Sequence, residues 1–136
     1  MIQPIIHDEK FLSLKSKNAT NKDRDVIQDL KDTLKAHSHE CVGMAANMIG
    51  QLKNIIIVHT ESEDLIMVNP KIIKKSNPYI TKEGCLSLLG ERETQRFKTI
   101  EVLYLTENFI KAKSKFTDFT AKIIQHEIDH CNGILI

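Results

Sequence analysis

The chain has 136 residues, 41% hydrophobic and 27% charged, which fits a single globular domain spanning 1–136 around one core. With 19 Lys and Arg against 18 Asp and Glu, the formal net charge is +1, and nothing in that balance or in 5% aromatic residues calls for a nucleic-acid partner. The longest purely apolar run, Ile55-Ile56-Ile57-Val58, is far short of the roughly 20 residues that span a bilayer, so no membrane role is expected.

Met1–Asp8 lacks a cationic stretch followed by an apolar one, so no secretory signal is expected. Residues 1–18 read as an irregular arm anchored by Ile2, Ile5, Phe11 and Leu14. The spacing of Val26, Ile27, Leu30 and Leu34 predicts a helix over 21–37, capped by Thr20 with Asp23 as its capping-box partner. Residues 54–59 and 65–68 read as paired strands across the polar Glu61–Asp64 segment, with Asn69-Pro70 ending the second and 71–75 continuing as an edge strand. A second antiparallel pair is expected from 98–105 and 109–115, across Glu107-Asn108. A last helix is predicted over 118–131, with Thr117 as cap and Asn132-Gly133 as stop. Strands in the middle with helices at both ends imply an α+β fold.

That last helix carries His126-Glu127-Ile128-Asp129-His130. Four residues at 3.6 per turn put His126 and His130 on one face, about 6 Å apart along the axis, where both rings can reach one cation. Glu127 leaves the helix on the same side, within range of a proton on metal-activated water. The pattern thus points to a mononuclear metal hydrolase. Only six residues follow His130, so a downstream third ligand is missing, and Cys131 points about 100° away around the helix. The third ligand must come from upstream. Cys85, in Glu83-Gly84-Cys85-Leu86-Ser87, is the natural candidate, although on its own it reads rather as a buried thiol in a turn. The three cysteines, Cys41, Cys85 and Cys131, are an odd number and suit reduced thiols in a cytosol better than a disulfide framework. His59 at a strand end, and His37 and His39 at a helix end, read as surface or capping residues.

Three segments, in order, resemble the peptide deformylases: Cys41–Gly50, Glu83–Ser87, and Gln125–His130 followed by Gly133. The resemblance covers nearly the whole chain. It implies antiparallel β-sheets packed around a central C-terminal helix carrying the His-Glu-x-x-His motif, plus an N-terminal helix. It implies removal of the N-formyl group from the formylmethionine of nascent polypeptides in a bacterial cytoplasm, where proximity to the ribosome is compatible with the sequence but specific docking is not assumed. With no exposed heptad or long apolar surface, a monomer is expected. Cys85, His126 and His130 would hold one divalent metal, Fe²⁺ natively, with Zn²⁺, Ni²⁺ or Co²⁺ in purified protein. Glu127 would be the general base and then acid, and the Leu86 backbone N–H an oxyanion donor. Val42 and Gly43 would bind the substrate main chain as an added strand, Val42 and Ile123 would wall the methionine pocket, and Arg92 would meet the following peptide. Asp129 would help orient the site from the far side of the helix, against Arg96.

The chain departs from the family pattern at Met48, where the first motif ends in a Gln whose amide donates to the formyl oxygen. Methionine has no donor, and loss of one oxyanion donor typically costs about 10²–10³ in rate. Asn47 is the nearest amide that could compensate. Cys41 stands where the motif often begins with Gly, and Leu89 where a Pro is common. Two alternatives follow: a related amidohydrolase acting on another formamide, or a metal-bound module that binds N-terminal peptides without cleaving them.

Overall fold

The computed structural model describes residues 1–136. A short helix α1 (Glu9–Leu12) interrupts the arm expected to be irregular, with the Asp8 side chain accepting from the Lys10 N–H. The capping box at Thr20 is present: Asp23 accepts from the Thr20 N–H at 2.8 Å, and Thr20 Oγ1 from the Lys22 N–H at 3.3 Å. It opens a 3-10 turn over Asn21–Asp23, and α2 follows over Arg24–Ala36, burying Val26, Ile27, Leu30, Thr33 and Leu34.

The strands are β1 (Gly43–Ala45), β2 (Ile55–His59), β3 (Asp64–Cys85), β4 (Leu88–Leu105) and β5 (Lys111–Thr117), and α3 covers Asp118–Cys131. They form one antiparallel sheet in the order β1-β2-β3-β4-β5, where several sheets were expected. Helix α2 packs on one face and α3 on the other. Ile55 and Ile57 of β2 face the α2 cluster, while Ile56 and Val58 face the α3 cluster. A strand covered on both faces needs an apolar residue at every position, and that is why this run does not alternate. All four are fully buried, each worth roughly 1.5–3 kcal/mol relative to exposure.

Two strand boundaries differ from expectation. Asn69-Pro70 does not end a strand: β3 runs on for 22 residues through a bulge. Asn69 takes a left-handed φ of 51° there, and its side chain accepts from the Ala19 N–H and donates to the Ala19 carbonyl, at 2.7 and 3.0 Å. Pro70 is tolerated because a bulge needs no ladder donor. Beyond Val68, β3 pairs with β4 alone, so 71–75 do lie on an edge stretch. Strand β4 begins ten residues before the expected 98, because the Ser76–Phe97 hairpin is too exposed to show apolar alternation.

Helix α3 closes the fold. Its Gln125 donates to the Phe97 carbonyl at 2.8 Å and accepts from the Phe97 N–H at 2.9 Å. Strand β5 ends opposite Thr99, so the Gln125 amide takes the place of the next β5 peptide group and docks α3 against β4. At the other end Gly133 has φ 74°, and a Cβ there would lie 2.4 Å from the Ser13 carbonyl oxygen. The helix can stop there and pack against the arm only with glycine.

Candidate metal centre and active site

Residues from two elements meet on the α3 side of the sheet. His126 and His130 project from successive turns of α3, with their Nε2 atoms 3.1 Å apart. Cys85 ends β3 at the hairpin tip, and its Sγ lies 3.3 Å from His130 Nε2. The three ligand atoms fall within 4.8 Å of one another. Donors bound about 2.0–2.3 Å from a common tetrahedral centre stand roughly 3.3–3.6 Å apart, so this set fits one cation. The site is nearly dry, with His126 8% and His130 0% exposed. Two imidazole nitrogens and a thiol sulfur converging this closely can share a proton or, with their lone pairs turned inward, a cation.

Charge around the centre is arranged to the same end. Glu83, two residues before Cys85 on β3, accepts from His126 Nδ1 at 2.8 Å and from Arg96 Nη2 at 2.7 Å. Burial alone would raise the Glu83 carboxyl, but His126 and Arg96 hold it down to about 2. It therefore stays ionised and fixes the proton of His126 on Nδ1, leaving Nε2 free as a donor to a cation. Arg96 also bonds Asp129 at 2.7 Å through Nη1, the contact expected from the sequence. Burial opposes charge on both imidazoles, yet bonds to Cys85 and Glu83 raise His126 to about 10. His130, buried and facing His126, is pushed down to about 3. A proton is thus favoured on His126 and disfavoured on His130, and a cation held at the two Nε2 atoms would take that proton's place.

Glu127 is 4% exposed and its Oε1 has no hydrogen-bond partner. Burial is the main cause that pushes its carboxyl up to about 7. It lines a cleft of about 550 Å³ together with Cys85, Leu86, His126, Val42, Gly43, Met48 and Ile123. Gly43 is required here by close approach. A Cβ on it would stand 2.6 Å from Ile123 Cγ2 and 3.0 Å from Glu127 Oε2, so β1 lies directly on α3. Strand β1 is an outer strand of the sheet, with one edge unpaired, and Val42 and Gly43 at its start line the cleft.

The donor cluster and this cleft have counterparts among known proteins. The family model described as polypeptide deformylase matches residues 3–136. A peptide deformylase of Clostridium beijerinckii is 54% identical over 136 residues, all of both chains. The chain belongs to the polypeptide deformylase family. Peptide deformylase 3 of Shewanella oneidensis is 35% identical, covering 94% of this chain and 81% of that one. Among solved structures, actinonin-bound peptide deformylase of Acinetobacter baumannii superposes with a TM-score of 0.88 at 30% identity, covering 99% of this chain and 95% of that one. Membership makes the chain a metal-dependent hydrolase, and a catalytic divalent metal accords with the Cys85-His126-His130 cluster.

Not every expected residue reaches the cleft. Arg92 is outside the lining and instead donates to the Leu89 carbonyl at 3.3 Å, near the hairpin tip. Asn47 is also outside it: it is fully buried, and its amide nitrogen donates to the His130 carbonyl at 2.9 Å. Met48 does line the cleft, 1% exposed, with its sulfur 3.5 Å from the Ala45 N–H. The Cys41 thiol bonds the Gly43 carbonyl at 2.8 Å, and burial pushes it up to about 12, so it stays protonated. Glu83 was missed in the sequence as a functional residue. Its position two before Cys85 on a strand, hence on the same face, was the available signal.

Proposed function

We propose that Cys85, His126 and His130 hold the metal of this hydrolase and that Glu127 moves the proton. The activity is removal of the N-formyl group from formylmethionine at the start of nascent polypeptides. The observation that carries the assignment is the convergence of one sulfur and two Nε2 atoms at the base of a cleft that a buried, unpartnered Glu127 carboxylate also lines. A divalent ion in this set supplies Lewis-acid polarisation and lowers the pKa of water to roughly 7.

The chain's own groups account for the rest. Glu127 takes a proton from the attacking water and returns it to the leaving amine. The Leu86 backbone N–H, at the hairpin tip beside Cys85, donates to the developing oxyanion. Main-chain groups of Val42 and Gly43 receive the peptide as an added strand on the open edge of β1, which places its first side chain against Ile123. A related deformylase from A. baumannii has been solved with Met-Ala-Ser bound, which supports peptides as the substrate class.

Ferrous iron is the native ion in this proposal, since a thiolate and two imidazoles suit a borderline-soft metal. The enzyme acts as a cytoplasmic monomer near the ribosome. No helix is long and apolar enough to cross a membrane. The test is formate release from formyl-Met-Ala-Ser by protein loaded with iron under anaerobic conditions. Turnover that survives Glu127→Ala would overturn the assigned roles.

Met48 favours one second reading, a different formamide as preferred substrate. Its buried thioether replaces an amide donor with apolar surface beside the reacting carbonyl. Competition between formyl-Met-Ala-Ser and simple formylated amines separates the two readings.

A further inference from the structure

The lysines look scattered along the chain, but strand pairing gathers five of them. Strand β5 reads Lys111-Ala112-Lys113-Ser114-Lys115, with a lysine at every second position and hence all three on one face. They pair with Leu105, Leu103 and Glu101 of β4. Across β4, Lys71 pairs with Leu103 and Lys74 with Glu101. Two rows result, Lys71–Leu103–Lys113 and Lys74–Glu101–Lys115, with Lys111 beside them.

This face is turned away from α3 and the metal centre, because Ile100 and Val102, which alternate with Glu101 and Leu103, are the residues buried in the α3 cluster. Helix α2 lies on the same side but packs on β1 and β2, so the outer part of the sheet is bare. All five lysines are exposed and Leu103 is 43% exposed. One carboxylate, Glu101, answers the five ammonium groups, and it bonds only Lys113, at 3.1 Å. A hollow of about 700 Å³ opens between Lys74, Lys75, Thr99, Glu101 and Lys115. Lysines also keep an edge strand from pairing with other chains, which would explain the three on β5. Residues 71–75 of β3 are an edge stretch as well, so that role reaches Lys71 and Lys74 too; it calls for a charge on each edge, not for five on one face.

We propose that this face binds the phosphate backbone of double-stranded RNA. Lysines along β5 repeat at about 7 Å, and the β3 and β5 rows lie about 10 Å apart, a grid of point charges suited to phosphates rather than to one small anion. No aromatic residue stands among them, so stacking on single strands is not on offer. The face has no helix to enter the major groove of DNA, whereas the wide, shallow minor groove of an A-form duplex can be met by a sheet surface. Net charge, averaged over the chain, hides such a face.

The experiment is fluorescence anisotropy of a labelled 20-base-pair RNA duplex with the full chain, from 50 to 200 mM KCl. Neutralising about five phosphates gives a log–log salt slope near −4 and a loss of about 10²–10³ in affinity over that range. The variant Lys111→Gln/Lys113→Gln/Lys115→Gln should bind at least about 10-fold more weakly, with a slope shallower by about 2 to 3. A variant losing the same charge elsewhere, Lys10→Gln/Lys15→Gln/Lys22→Gln, should change affinity less than about 3-fold, since the release of counterions needs contact with the duplex. Both variants should release formate at the unmodified rate, which also shows that they fold. Equal losses in the two variants, no RNA binding at 50 mM KCl, or binding to phosphatidylglycerol vesicles but not to RNA would each overturn the proposal.

Discussion

The Glu83 carboxylate joins His126 Nδ1 to the Arg96 guanidinium, with Oε1 2.8 Å from the first and 2.7 Å from Nη2 of the second. One side chain thus sets the tautomer of an imidazole in the proposed metal triad and neutralises a buried cation. Replacing Glu83 by Gln keeps the shape and removes the charge. The metal dissociation constant, measured by chelator competition, should rise about 10- to 100-fold. An unchanged constant would show that Arg96 and Asp129 alone hold the site in order.

Glu127 is buried without a partner for Oε1, a costly arrangement unless it serves the reaction. Glu127→Gln should lower kcat by about 10²–10⁴. Metal content, measured by mass spectrometry, should stay at the unmodified level. A parallel loss of metal and activity would point to a ligating role instead.

Met48→Gln restores a donor of nearly the same length at a position facing the cleft. With formyl-Met-Ala-Ser, kcat should rise by about 10²–10³ while KM moves little, the signature of an interaction made in the transition state. No gain would mean that another group already serves the oxyanion, and Asn47, tied to the His130 carbonyl, is not that group.

Gly43→Ala places a methyl group 2.6 Å from Ile123 Cγ2. Overpacking of this kind costs about 1–3 kcal/mol, read as a shifted urea midpoint. Ile123→Ala in the same chain should recover part of that loss, and the double-mutant cycle should show coupling above about 0.5 kcal/mol. Strict additivity would mean that β1 does not rest on α3 at this point.

Metal removal gives a fifth check. Because Cys85, His126 and His130 join the end of β3 to α3, a bound ion stabilises the folded state alone. Free metal at 100 times its dissociation constant should add about 2.7 kcal/mol, seen as a Tm that falls on chelation and returns on reloading. A Tm indifferent to metal would contradict a site built between two elements.

Periodicity and capping chemistry made much of this molecule readable in advance. Thr20 with Asp23, the His126–His130 spacing and the Asn132-Gly133 stop act over a few residues, so the sequence contains everything that decides them. The His126–His130 pair alone points to a shared cation. What the sequence could not decide depends on pairing between distant segments. The long β3–β4 hairpin is mostly exposed and lacks apolar alternation, so the reach of Glu83 to His126 was not visible. Gly43 is a glycine because of Ile123 and Glu127, far along the chain, and only the packed fold shows that contact. The lysine face has the same origin: net charge depends on composition, whereas a charged surface depends on register, and register is fixed by tertiary packing.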